Sequence, residues 1–432
     1  MRKEAGIRQE EANKIALYQF AGMFLPERTF FIMPLTLSER TLSISPSVTL
    51  AIDTRAKQLR AEGLDVIGFS AGEPDFATPE YINDAGKFAI DAGITRYTPV
   101  AGTLDLRQKI CDKFIHDNGL EYTPAEIIVS SGAKQSLFIA LSALLNPGDE
   151  VLIPAPCWLS YPEMVRMAGG TPVLVHGKEE NNFTVTAEML RPFVNEHTKA
   201  LILNSPSNPN GCVWRRDELD GIAKLAVECG FYVISDEIYE KLIYDDEKHY
   251  SIASCGEDIK NQCIVVNGVS KTYAMTGWRI GYAAGPKNII KAMTSFQSHA
   301  ASNANSIAQY AAATAISCGD KYIRSMIEEY SARRRLMHRL VNEIDGLSCK
   351  LPKGAFYIMV SLKEIMGKSH KGRKIIGSTS LAEILLDQKR VAVVPALAFG
   401  DDNYVRLSYA TSRQNIVEGM ARIKEFVSEL ED

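Results

Sequence analysis

At 432 residues with 46% hydrophobic content, the chain can bury a large core and divide into two or three domains. Its 48 Lys and Arg nearly offset 52 Asp and Glu, so the net charge of -4 leaves no basic footprint for nucleic acid or an anionic membrane surface. No apolar run approaches the roughly 18 to 20 residues of a membrane span. Small molecules or other protein chains remain as partners. The eight cysteines show neither CxxC nor metal-finger spacing, so no metal site is expected, and they read as reduced, packed thiols of a cytosolic-type compartment.

Residues 1–32 mix charges ahead of a short apolar patch at 15–25 and read as a tail, an upstream start or a loose arm. Glu4, Glu10, Glu11 and Glu27 stand where transit peptides are usually acid-poor, and no small-residue cleavage site follows. Further on, Val48, Ile52, Ala56 and Leu59 recur at helical spacing behind a start at Ser45-Pro46-Ser47. A short strand at 67–69 then enters the Gly and Pro turn Ala71-Gly72-Glu73-Pro74, which either brings backbone N–H groups to a ligand or merely reverses the chain. A helical stretch, the segment Arg96-Tyr97-Thr98-Pro99 and a second amphipathic helix from Asp105 follow.

The β-branched run 127–129 breaks at Ser130-Ser131-Gly132 and enters a helix carrying Leu137, Leu141, Leu144 and Leu145 on one face. Free N–H groups at such a helix start suit a phosphate, although many strand-to-helix turns bind nothing. Short apolar strands at 151–153, 171–175, 200–203, 232–235, 264–267 and 281–284 then alternate with helical stretches. Continuous apolar runs predict strands buried on both faces, hence a large α/β domain with a mainly parallel sheet covered by helices. Three strands end in polar loops, at Asn204 to Gly211, Asp236 to Tyr239 and Ser270-Lys271. Parallel strands would gather those loops at one crevice.

From about Tyr322 come a charged helix at 327–344, Gly354 to Val360, a basic loop, strands at 391–394 and 404–409, and a last amphipathic helix. The pattern suits a smaller α+β domain of 33–67 and 320–432 beside a large domain of 68–319. The Gly367-Lys368-Ser369 patch has Leu362 where a phosphate loop needs its first glycine, and reads as solvated surface. Lys271, after the strand at 264–267, could be an ordinary surface lysine or a Schiff-base amine, with Arg279 eight residues on as an anion clamp.

Jointly, the strand-end residues meet the needs of pyridoxal phosphate. The strings SAGEPDF (70–76), RYTPVAG (96–102), SSGAKQ (130–135), PAPCWLSYPEM (154–164), NSPSNPNG (204–211), SDEIYE (235–240), SKTYAMTGWRIGY (270–282) and RLSYA (406–410) resemble the fold type I pyridoxal phosphate enzymes. The similarity runs from about Met33 to the end and is strongest to the bacterial and plant-plastid subgroup of aspartate aminotransferases. The resemblance implies that Lys271 carries the Schiff base and Asp236 pairs with the ring nitrogen, so that the ring can accept electrons. It further implies that Tyr239 and Asn208 bond the ring oxygen and Trp158 stacks on the ring. Ser131, Gly132, Ala133, Ser270 and Arg279 are implied to hold the phosphate, with Tyr97 donated by a neighbouring subunit of a homodimer. Arg406 is implied to grip the substrate α-carboxylate, helped by Gly72, while Phe356 and Tyr357 shape the pocket and Lys134 meets a distal carboxylate. Thr49 lies where relatives that also accept prephenate carry a threonine.

Two departures, Asn210 for the usual Thr and Cys157 for the common Tyr, bear on substrate preference and remove no group that the chemistry needs. The expected activity is transamination between aspartate or glutamate and a 2-oxo acid such as 2-oxoglutarate, with prephenate as a further acceptor. The rivals are an aromatic or broad-specificity aminotransferase, a β-lyase or cyclopropane-forming synthase on the same cofactor grip, and a cofactor-sensing transcription regulator. The last needs a winged helix of about 70 residues, more than residues 1–32 supply. A cytoplasmic location follows from the bacterial type, and an organellar one if the tail is a targeting segment.

Overall fold

The computed structural model describes residues 36–45, 48–319 and 323–432, so the expected tail at 1–32, the helix start at Pro46-Ser47 and Tyr322 lie outside the described residues. The chain divides after Ser43 into two units. In the first, a one-turn helix, Glu39–Leu42, is capped by Ser38, whose hydroxyl accepts the Thr41 N–H at 3.2 Å.

The second unit begins with helix α1 (Val48–Ala61), strand β1 (Ile67–Gly68) and helices α2 (Glu80–Asp91) and α3 (Leu104–Asn118). Strands and helices then alternate through β2 (Ile127–Ser130), α4 (Ala133–Leu144), β3 (Glu150–Ala155), α5 (Ser160–Met167), β4 (Thr171–His176), β5 (Thr198–Asn204), α6 (Arg216–Cys229) and β6 (Tyr232–Asp236). After them come β7 (Cys263–Gly268), β8 (Gly281–Ala284), α7 (Lys287–Ala300), α8 (Ser306–Ser317), α9 (Arg324–Asn342), β9 (Tyr357–Ser361) and the hairpin β10 (Ser369–His370) with β11 (Arg373–Lys374). The chain closes with α10 (Ser378–Lys389), β12 (Val391–Ala392), β13 (Val394–Pro395), β14 (Tyr404–Ser408) and α11 (Arg413–Ser428).

Seven strands form one sheet in the order β2-β8-β7-β6-β5-β3-β4, parallel except for β8, which runs against both neighbours. Successive side chains enter two cores. Ile128, Val151, Ile202, Ile234 and Ile264 share one with Leu137 of α4, Met164 of α5 and Met293 of α7. Val129, Leu152, Leu201, Val233 and Val265 share the other with Phe114 of α3, Leu219 of α6 and Ala311 of α8. Helices on both faces leave no strand position for a polar alternation, which is why the runs are continuously apolar.

A second, antiparallel sheet has the order β13-β14-β9, and β1 pairs in parallel with β12. The single strand expected at 391–394 is therefore two. Val391 pairs with Ile67, whereas Val394 pairs with Arg406, and Val393 between them lets one segment serve two sheets. Ala56 and Leu59 of α1 pack with Val66, Leu386 and Ala392, which fixes α1 to this part of the fold. Helix α9 starts at Arg324 and ends at Asn342, slightly ahead of the stretch read from the sequence. The cysteines are all free, but not all packed: Cys111, Cys157, Cys212, Cys263 and Cys349 are buried, while Cys229 and Cys318 end helices at the surface.

Candidate active site

Because β2, β5, β6 and β7 point the same way, their carboxyl ends share one edge of the sheet. A cavity of about 680 Å³ opens there, floored by Asn204, Asn208, Asp236, Tyr239, Ser270 and Lys271. Asp236 ends β6 with its carboxylate buried, accepting the Tyr161 hydroxyl at 2.7 Å on Oδ2 and the Ile238 N–H at 3.2 Å on Oδ1. Burial pushes this carboxyl up to about 6, against the pull of those two donors. Lys271 donates to the Gly72 carbonyl at 2.5 Å. Burial brings its amine down to about 8; Arg279 and Arg406 lower it further, whereas Glu73 and Asp236 oppose the fall. An amine titrating there is a nucleophile and a proton carrier near neutral pH.

Arg406, central in β14, reaches the cavity although only 2% exposed. Its guanidinium donates to Asn208 Oδ1 and to the Ser70 carbonyl, both at 3.0 Å, and lies 4.3 Å from the Tyr357 ring centre. Its Nε has no partner, and no carboxylate pairs with the group among the described residues. A buried cation left in that state is a receptor for an anion. Tyr239 is buried and exchanges a 2.9 Å hydrogen bond with the Tyr357 hydroxyl.

At the end of β2, Gly132 has φ +89° and the Arg279 guanidinium lies where a Cβ would be. Arg279 is itself left-handed at φ 56°, a turn that throws its side chain back over the first turn of α4. Its Nη1 donates to the Thr276 carbonyl at 2.9 Å. The Arg279 guanidinium closes over the start of α4, and Ala133, Ser270 and Arg279 all line the cavity.

The mouth is built differently. Lys134, in the first turn of α4, lies 4.6 Å from the Trp158 ring centre, and burial followed by Arg279 lowers its proton affinity. Thr49, Asp53, Lys57 and Arg60 of α1 close the opposite rim, with the Thr49 hydroxyl buried and unpartnered.

Most of the residues singled out from the sequence line this one cavity, namely Thr49, Gly72, Ala133, Lys134, Trp158, Asn208, Asp236, Tyr239, Ser270, Lys271, Arg279 and Arg406. Four do not. Gly132 lies just behind the lining, and Ser131 faces outward with its N–H taken by Gln135 Oε1 at 2.5 Å. Tyr97 is 91% exposed on the protein surface. Phe356, expected on the pocket wall, is fully buried behind it, packed edge-to-face on Tyr239; alternation along the strand turns its neighbour Tyr357 inward instead. Tyr161 escaped the sequence reading, although it stands three residues after Trp158 in a quoted string, and Asn204 entered it only as the start of a polar strand-end loop.

The residues fit pyridoxal phosphate. A buried carboxylate whose direct partners are neutral donors suits a cationic ring nitrogen, Lys271 suits an aldehyde, and the Gly132 and Arg279 corner suits a phosphate. Fold and site therefore define an α/β enzyme that handles amino acids through a lysine-bound cofactor. The model of the aminotransferase class I and II family matches residues 64–423. The aspartate aminotransferase of Geobacillus stearothermophilus is 46% identical over 391 residues, 90% of this chain and 98% of that one. An aspartate/prephenate aminotransferase of Cereibacter sphaeroides is 45% identical over 396 residues, 91% of this chain and 99% of that one. Among solved structures, the aspartate aminotransferase of Rhizobium meliloti superposes with a TM-score of 0.89 at 40% identity, covering 92% of this chain and all (100%) of that one. The enzyme of Thermus thermophilus with maleate gives 0.85 at 41%, covering 91% and 100%. The chain belongs to the aminotransferase class I and II family. Its fold is that of the fold type I enzymes, and its cofactor is pyridoxal phosphate.

Proposed function

We propose that this aminotransferase moves the amino group between aspartate or glutamate and a 2-oxo acid such as 2-oxoglutarate, with prephenate as a further acceptor. The observation that carries the reading is Arg406, a buried guanidinium with no carboxylate partner that faces the same cavity as Lys271. A substrate α-carboxylate completes it and sets Cα beside the Lys271 amine. Lys134 at the mouth then faces the far end of the substrate, as a dicarboxylate requires. The aspartate enzymes among the relatives, and the maleate named with the Thermus protein, support that choice. Prephenate draws support from the named activity of the Cereibacter relative and from the unpartnered Thr49 hydroxyl, which lines the same roomy cavity as Lys134.

Bound at Lys271, pyridoxal phosphate supplies an aldehyde carbon that takes the amino group and a ring that accepts the electron pair left at Cα. Lys271 Nζ takes the Cα proton and returns it on the other side of the transfer, which its near-neutral proton affinity suits. The Asp236 carboxylate would keep the ring nitrogen protonated, Tyr239 and Asn208 would bond the ring oxygen, and Trp158 would cover the ring. Ser270, Arg279 and the backbone at Ser131, Gly132 and Ala133 would hold the phosphate. Gly72 and Arg406 hold the α-carboxylate, while Phe356 acts from behind by fixing Tyr239 and Tyr357.

Tyr97, exposed in one chain, serves the site of a second copy, so the working unit is a homodimer. The two cores of the long sheet support a cofactor-binding domain at 68–319, and the packing of α1 on β12 supports a second domain from 33–67 and 320–432. No helix among the described residues is long and apolar enough to cross a membrane, and we place the enzyme in the cytoplasm, in amino-acid biosynthesis. A panel of amino donors and 2-oxo acceptors, prephenate included, tests the reading. Aspartate and glutamate should give the highest kcat/KM, and a preference for donors without a second carboxylate would reject it.

A further inference from the structure

Tyr161 is buried in α5, and its phenol makes one hydrogen bond into the site, the 2.7 Å bond to Asp236 Oδ2. The opposite oxygen, Oδ1, accepts the Ile238 N–H, so two donors from different elements fix the plane of one carboxylate. The main-chain carbonyl of Asp236 is separately occupied by Asn204 Nδ2 at 2.9 Å. The charged and titratable groups that face the pair are Lys271 from the loop after β7, Glu237 and Tyr239 from the end of β6, and Cys157 from the loop after β3. Lys271 favours the carboxylate and Glu237 disfavours it, and burial pushes toward the neutral acid.

A carboxylate that takes the proton for itself leaves the ring nitrogen neutral and the ring a poorer acceptor of electrons. A phenol donor removes electron density from the carboxylate and makes it a weaker base. We propose that Tyr161 is a positioning residue for the reaction: its hydroxyl keeps Asp236 an oriented, weakly basic carboxylate, so that the proton between Asp236 and the cofactor ring nitrogen stays on nitrogen. The inference rests on the pyridoxal phosphate reading of Lys271. It assigns a task to a side chain that lines the cavity and acts through Asp236.

The test is the ring-nitrogen resonance of holoenzyme loaded with 15N-labelled pyridoxal phosphate, in the wild type, in Tyr161→Phe and in Tyr161→His. Phenylalanine keeps the edge-to-face contact with Trp158, 5.3 Å between ring centres, and removes only the donor. The expected result is a resonance moved toward the unprotonated position in Tyr161→Phe, with kcat about tenfold lower and KM for aspartate within about twofold. Tyr161→His, which restores an N–H donor, should return the resonance toward the wild-type position. A wild-type resonance in Tyr161→Phe, or an unprotonated nitrogen in Tyr161→His, overturns the inference and leaves the aminotransferase reading standing. A wild-type holoenzyme whose cofactor is not bound at Lys271 overturns both.

Discussion

The floor and the mouth of the cavity are held in different ways. On the floor, each reactive group comes from a strand end or strand centre and is tied by buried partners: Asp236 by Tyr161 and Ile238, Arg406 by Asn208 and Ser70, Tyr239 by Tyr357. At the mouth, Lys57 meets Asp53 at 2.8 Å with its side chain 70% exposed, Lys134 rests on the Trp158 ring, and Glu73 accepts the Thr276 hydroxyl at 2.8 Å. Pre-tied groups in a dry site lower barriers, because they need no rearrangement as charge develops. Groups on solvent-facing helices adjust to what they hold and discriminate by a few contacts. On the proposed reading, reaction type is built into the sheet and substrate choice into the helices at its rim.

Substitutions on the floor should therefore cost far more than those at the mouth. Lys271→Ala should lower turnover by at least about 10³-fold, since on the proposed reading it removes both cofactor attachment and the proton carrier; single-turnover kinetics with aspartate would read this. Arg406→Lys should lower kcat/KM by about 10²-fold for every amino acid, because a point charge replaces a fork that bonds Asn208 and Ser70 while facing the substrate. The pH dependence of cofactor capture falls between floor and mouth in size. With the amine lowered to about 8, the free-base fraction of Lys271 grows about tenfold per pH unit below that value and levels off above it. Borohydride trapping of pyridoxal phosphate on the cofactor-free protein should follow that curve, and a midpoint near the ordinary lysine value would show that burial does not set it. Lys134→Met should raise KM for aspartate by about tenfold while leaving alanine nearly unchanged. An equal loss for both substrates would move Lys134 from the mouth to the floor.

The sequence made the floor readable because chemistry and topology coincide there. Continuous apolar runs ending in Asn, Asp and Lys declare parallel strands and the edge at which they meet, and each of the six runs from 151–153 to 281–284 is a strand. The end of β2 was equally legible, since Gly132 is needed where the Arg279 guanidinium closes over the backbone. Side-chain direction in short strands was harder to read. Phe356 and Tyr357 differ by one position, and only the pairing of β9 with β14 decides which ring meets the cavity. The split of 391–394 between two sheets likewise depends on long-range partners, Ile67 and Arg406, that no local pattern announces. Tyr161 was hidden for a related reason: a tyrosine on an apolar helix face reads as core until the strand that carries Asp236 is placed against it.

Aspartate added alone to the pyridoxal phosphate holoenzyme, with the visible absorbance and the products followed together, is the decisive measurement. Transfer through Lys271 predicts one 2-oxo acid released per site, conversion of the cofactor to its amine form, and recovery of the original absorbance when 2-oxoglutarate is added. Continuous release of ammonia with the absorbance unchanged would contradict it and make the chain a lyase.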